Sequence, residues 1–374
     1  MSTNKQLKTT DFCKNWLLFL PPGILGTILG LLEIKKIARF ASVCSVFATT
    51  RLIVPRLNLF EFDFDNIYQI KFLSRINLGT VRNAEFSIDP GKTPKYHHPP
   101  EFIAQFAPYV NTAVVEVRAS DDDDHANESV IALPEVQRLT FISDLNCLHF
   151  LQFLLPDPSR LLYLYLDLDH FSLEAARSLL LLTSLQEAEF DFNSIDDRLE
   201  TFSGLGHCLD RITVNWPDRC VVGLCQARCL DLKHSCLSAQ FNDGFMVPEC
   251  VTELHLSDFS CNPELFSKAT SLKSLVLQPP EFHDFLMPNV FAPLSAQLTE
   301  LTVTYELFMK DAFFATFVKP LKRLNTIRVL NCRNHHVLSA RFFDAYNESA
   351  NRHITTWIVE AYRKAPQVIL KFNP

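Results

Sequence analysis

Apolar residues recur along the chain in short pieces of the form apolar-x-x-apolar-x-apolar. The pieces read LNLFEF from Leu57, VRNAEF from Val81, TAVVEV from Thr112, VQRLTF from Val136, LLYLYL from Leu161 and LQEAEF from Leu185. The series continues with LDRITV from Leu209, ARCLDL from Ala227, VTELHL from Val251, LKSLVL from Leu272, LTELTV from Leu298 and LNTIRV from Leu324. Steps between their first residues are 24, 31, 24, 25, 24, 24, 18, 24, 21, 26 and 26. A recurring step of 24 marks a structural repeat, a unit that cannot bury its own apolar face but can do so stacked on neighbours. A degenerate thirteenth copy, APQVIL from Ala365, closes the series.

Each piece reads as a short strand. Alternate side chains of a strand point the same way, so the fourth and sixth positions face inward and the fifth and seventh outward. Between strands lie helix-like pieces such as SLEAARSLLLL (172–182) and LNCLHFLQFLL (145–155), whose Leu, Ala and Phe would cover the back of the strand layer. The expected architecture is a curved solenoid with a parallel sheet on its concave side and helices on the convex side. Three segments break the period and read as loops: the Pro-rich 89–102, the acidic 120–129 (SDDDDHANES) and 278–294. The tail from Asn331 to Lys364, including HITTWIVEAYRK, reads as one or two helices capping the open end.

Ahead of the repeats, residues 15–32 carry no charge, yet Pro21 and Pro22 interrupt the run before it reaches the roughly 20 residues of a spanning helix. Pro22 can start a helix instead, since its missing N–H is unneeded in the first turn. Ile24, Leu25, Ile28, Leu29 and Leu32 then share one face, and a second amphipathic pattern follows at Ile37, Phe40, Ala41, Cys44 and Phe47. The readings of this segment are a helical module that buries one face against a partner, a plain helical cap on the first repeat, or a membrane anchor.

Over residues 57–330 the pattern resembles the leucine-rich-repeat family. That family's ninth-position Asn or Cys appears as Asp65, Asp89, Asp144, Asp169, Asn193 and Cys332, but as Pro217, Phe259, Pro280 and Glu306 elsewhere. The stretch 20–52 resembles the F-box at Leu20, Pro21, Ile24, Leu25, Ile28, Leu29, Leu32, Ile37, Val43 and Cys44. It departs at Gly23, where an acidic residue is usual, at Lys35–Lys36 ahead of the second helix, and at Phe47, where Trp is frequent. Its place directly before the first repeat is that of F-box/leucine-rich-repeat proteins. The combined expectation is an α/β chain organised as a flexible N-terminus (1–14), an all-helical F-box-like module (15–55), a leucine-rich-repeat solenoid (56–332) and a C-terminal helical cap (333–374).

Composition narrows the function. With 374 residues, 48% hydrophobic, 21% charged and nine Gly, the chain is a folded protein. A net charge of −7 with no basic run longer than Lys35–Lys36 excludes a nucleic-acid binder. Eleven Cys, an odd number without a CxxC pair, argue for reduced thiols in the cytoplasm or nucleus. The cluster Cys208–Cys236 with His207 and His234 lacks the close ligand pairs of structural zinc, so no metal and no cofactor are expected. His97–His98 and His335–His336 have no paired nucleophile and no Gly-rich phosphate loop follows a strand, so no catalytic residues are expected.

The resemblance implies a non-catalytic substrate receptor of a Skp–cullin–F-box ubiquitin ligase. Leu20, Pro21, Ile24, Leu25 and Ile28 would bind the Skp-type adaptor and through it a cullin. A protein target would be held on outward strand positions, Tyr165, Asp167, Glu189, Asp191, Thr213 and Asn215. Acidic fifth and seventh positions (Glu61, Glu85, Glu116, Glu189, Asp231; Asp63, Asp167, Asp191) favour a basic target segment. The other reading is a leucine-rich-repeat interaction scaffold without a ligase.

Overall fold

A computed structural model of the chain describes residues 24, 53–60, 73, 74, 76–88, 100–117, 131–143, 154–197, 199, 202–215, 222–233, 245–257, 264–278, 291–309, 313, 317–332, 353–361 and 368–371. The chain divides into two compact units, Met1–Leu161 and Leu162–Pro374.

The first unit holds four strands, β1 (Arg56–Asn58), β2 (Asn83–Ile88), β3 (Thr112–Val117) and β4 (Arg138–Ser143), each parallel to the next. In the second are β5 (Tyr163–Phe171), β6 (Glu187–Ile195), β7 (Leu209–Asn215), β8 (Ala227–Lys233), β9 (Glu253–Ser257), β10 (Ser274–Gln278), β11 (Glu300–Thr304), β12 (Thr326–Cys332) and β13 (Thr356–Ala361). These follow one another in parallel, and β14 (Val368–Lys371) then pairs antiparallel with β13. Consecutive parallel strands with a one-sided polar face are what stacked repeats produce; ordinary parallel sheets are covered on both faces.

The inward positions are the core. First, fourth and sixth positions are buried throughout, for example Leu185, Ala188 and Phe190, and Leu298, Leu301 and Val303. Each such Leu, Val or Phe contributes on the order of 1.5–3 kcal/mol by leaving water. A backbone feature ties the repeats together: the second-position carbonyl accepts N–H groups from the second and third positions of the next repeat. Pro55 O receives Arg82 and Asn83, Gln186 O receives Asp210 and Arg211, and Asn325 O receives Thr355 and Thr356, all at 2.8–3.2 Å.

This register corrects the sequence reading in three places. Leu57 pairs with Ala84, so Leu57 is a fourth position and its repeat begins at Val54, with Leu59 as the sixth. Both frames satisfy the apolar pattern, but Val54, Leu57 and Leu59 are buried while Phe60 is 40% exposed. Ala113, not Val115, pairs with Ala84, so the next-but-one repeat begins at Val110 and Glu116 becomes a seventh position.

The tail is the third correction: residues 354–359 (ITTWIV) form a further repeat and not a helix. Trp357 pairs with Ile327 and Val359 with Val329. Ile354, Trp357, Ile358 and Ala361 satisfy a helical face as well as a strand's alternation, but Ile, Thr, Thr, Trp, Ile and Val are strand formers whose β-branched and aromatic side chains pack on a pleated surface. The closing piece APQVIL contributes β14, turned antiparallel.

Among the described residues the backs of the repeats carry few helices. α1 (Pro100–Ile103), α2 (Leu173–Leu179) and α3 (Tyr305–Phe308) are short, and 3-10 turns such as Ala292–Ala296 serve elsewhere. α2 begins where Ser172 Oγ accepts the Ala175 N–H at 3.1 Å, and it buries Leu173, Ala175, Ala176 and Leu179. Phe rings fill the remaining interior. Phe171 stacks on Phe192 at 4.2 Å, and a chain of ring contacts runs Phe266–Phe291–Phe317–Phe313–Phe308–Trp357. The short 18-residue step depends on glycine: a Cβ on Gly223 would meet the Phe202 carbonyl oxygen at 2.5 Å, and Gly204 beside it has φ +113°.

Candidate functional site

The outward face of the second unit is set by register. Third positions run Tyr163, Glu187, Arg211, Cys229, Glu253, Ser274, and fifth positions run Tyr165, Glu189, Thr213, Asp231, His255, Val276. Seventh positions begin Asp167, Asp191, Asn215, Lys233. Neighbouring side chains of one row stand about 4.8 Å apart.

All six residues expected to hold a target therefore form one patch, three strands wide and two rows deep. Five of them are half-buried; Thr213, a short side chain between Glu189 and Asp231, is only 7% exposed. The patch is acidic. Asp167 and Asp191 stand side by side, a like-charge pairing that costs stability. Lys233 Nζ offsets part of the charge from 3.8 Å away on Glu189 Oε1, and the Tyr163 hydroxyl reaches Glu189 Oε2 at 3.5 Å. Tyr165 registers the field: burial first, then Asp167, Asp191 and Glu189, push its phenol up to about 12. Glu61 and Asp63, also expected in the acidic rows, lie outside the described residues.

A second cluster lies at β8–β9. Cys229 and Glu253 are register partners, as are Asp231 and His255, and all four face outward. Donor atoms of Cys229, Glu253 and His255 lie within 4.8 Å of one another. The His255 ring is held between two carboxylates, with Glu253 Oε1 2.6 Å from Nε2 and Asp231 Oδ2 4.0 Å from Nδ1. Desolvation, then the Glu253 charge, pushes the Cys229 thiol up to about 11. Beside this cluster a depression of about 550 Å³ is lined by Lys273, Glu300, Thr302 and Arg328 among others, and Arg328 is tied to Glu360 at 3.0 Å.

Of the cysteine-rich stretch, Cys220, His234 and Cys236 lie outside the described residues. Both His207 ring nitrogens meet backbone carbonyls, Nδ1 that of Leu205 at 3.2 Å and Nε2 that of Leu185 at 3.1 Å. Cys225 is buried and Cys208 exposed, and the Cys250 thiol, which donates to the Ala227 carbonyl at 3.7 Å, is pushed up to about 11 mainly by burial. In the first unit, Glu85 accepts from Arg56 Nε at 3.0 Å and from Asn58 Nδ2. At the ninth positions Asn193 Nδ2 donates to Asp169 Oδ1 at 2.7 Å.

Of the residues expected to bind an adaptor, Ile24 is helical and 50% exposed. Leu20, Pro21, Leu25 and Ile28 lie outside the described residues. Among the described residues no helix is long and apolar enough to cross a membrane.

The fifth and seventh rows were readable from the repeat pattern. Cys229 and Glu253 were missed because only fifth and seventh positions were read as outward; the third position has the same parity and was the available signal. No family model matches the chain, and neither does any curated protein.

Proposed function

We propose that the chain is a non-catalytic receptor that holds a basic protein segment on the β5–β7 patch. Residues 15–55 present the receptor to a Skp-type adaptor and, through it, to a cullin ubiquitin ligase. The patch is the observation that carries the reading. Carboxylates at Asp167, Glu187, Glu189 and Asp191 crowd one face, so a Lys or Arg from a partner relieves repulsion that the isolated chain retains. Tyr163 and Tyr165 add aromatic faces on which a guanidinium can stack.

The ligase half rests on the F-box resemblance of 20–52 and on its position before the first repeat; a half-exposed Ile24 accords with an apolar face awaiting a partner. A receptor of this kind does no chemistry. It raises the effective concentration of target lysines at the ligase.

Adaptor binding separates this reading from an interaction scaffold with no ligase link. The full chain mixed with a purified Skp-type adaptor at micromolar concentration should form a complex, and Leu20→Ala with Pro21→Ala should abolish it while leaving the melting temperature unchanged. A folded wild-type chain that retains no adaptor removes the ligase from the account and leaves the scaffold.

A further inference from the structure

We propose a zinc site on the outward face at β8–β9, with Cys229, Glu253 and His255 as its protein ligands. The three come from adjacent strands in fixed register and supply one sulfur, one oxygen and one nitrogen, the donor set that Zn²⁺ takes in proteins. Their donor atoms already lie within 4.8 Å of one another. Bonds of roughly 2.0–2.3 Å put tetrahedral ligands about 3.3–3.8 Å apart, so rotamer adjustments on the order of 1 Å close the site without moving either strand.

A second observation points the same way. His255 turns Nε2 toward Glu253 and has the Asp231 carboxylate 4.0 Å from Nδ1. That carboxylate, once drawn from 4.0 Å into hydrogen-bond range of Nδ1, would orient a metal-bound imidazole and raise its basicity. Charge also balances. Thiolate and Glu253 neutralise the ion, and Arg211, the register partner of Cys229 on β7, is the neighbouring cation. On binding, the Cys229 S–H bond gives way to S–Zn and its proton passes to solvent. Three protein ligands leave one tetrahedral position for water. The site lies beyond the target patch and stands or falls independently of it.

The test is cobalt titration of the full-length chain after chelator treatment, with zinc competing. One equivalent of Co²⁺ should bind and show thiolate-to-cobalt charge-transfer absorption, which Zn²⁺ bleaches. Cys229→Ala should remove the absorption, and His255→Ala should weaken binding at least about 100-fold, since loss even of an outer partner costs 10–100-fold. Glu253 is exposed enough that Glu253→Gln keeps the fold by circular dichroism, and it should weaken binding about 10-fold or more. Cys250→Ser should change nothing. Absence of the charge-transfer absorption in the wild-type chain overturns the site. So does absorption that survives Cys229→Ala, or affinity undiminished in both His255→Ala and Glu253→Gln.

Discussion

Trp357 lies opposite Ile327 across the parallel β12–β13 ladder, and its indole meets the Phe308 ring edge-on at 6.2 Å. The fully buried ring makes the last parallel strand part of the same core as the repeats before it. Trp357→Ala should lower stability by about 3–5 kcal/mol, the range for emptying a buried aromatic site, in urea unfolding. Trp357→Phe should recover part of the loss. A loss below about 1 kcal/mol would separate β13 from the core.

Gly223 should tolerate no side chain. A Cβ there would press on the Phe202 carbonyl at 2.5 Å, a backbone atom that cannot rotate away. Gly223→Ala should cost about 1–3 kcal/mol, the scale of local overpacking. Gly206, with nothing within 4 Å of its Cβ position, is the control for space, though its φ of +78° adds backbone strain of its own. The 18-residue step, tighter than its neighbours, is the place where calorimetry should detect the change.

The acidic patch makes a prediction about pH. Tyr165 holds its proton up to about 12 in the folded chain, against an ordinary value of 10.0 when unfolded. Its contribution is therefore fully present below pH 10 and is lost as pH rises through 12. Melting temperatures of Tyr165→Phe should fall less steeply than wild type across that window; parallel curves would mean that neither burial nor Asp167, Asp191 and Glu189 raises the phenol.

Thiol labelling should follow exposure and charge. Cys208 is exposed, whereas Cys229 is nearly buried and its thiol is pushed up to about 11. Iodoacetamide near neutral pH should modify Cys208 well before Cys229, read by peptide mass spectrometry, because the thiolate is the nucleophile. Equal rates would contradict the burial of Cys229.

The repeat was legible because apolar side chains at the first, fourth and sixth positions are a physical requirement of stacking, and letters such as LKSLVL satisfy it one way only. LNLFEF failed because VPRLNL, three residues earlier, satisfies it equally, and only the pairing of Leu57 with Ala84 decides between them. ITTWIV was hidden for a related reason: its apolar residues also trace a helical stripe, and its step of 30 from Leu324 is longer than the 26 before it. The side-by-side placement of the six patch residues followed from parity, because the frames of β5–β7 match the pairing. Pairing between Cys229 and Glu253 depends on which strands are neighbours and how they align, which spacing alone does not reveal.

The central claim, that the β5–β7 patch receives a basic protein segment, is tested most directly by selecting peptides against the full-length chain from a display library and measuring their affinity for wild type and for Glu189→Lys/Asp191→Lys. The account predicts selected sequences rich in Lys and Arg, bound at least about tenfold more weakly by the charge-reversed chain, a difference of about 1.4 kcal/mol, with an unchanged melting temperature. Selected sequences that are acidic or purely apolar, or basic ones whose affinity survives the reversal, would contradict it.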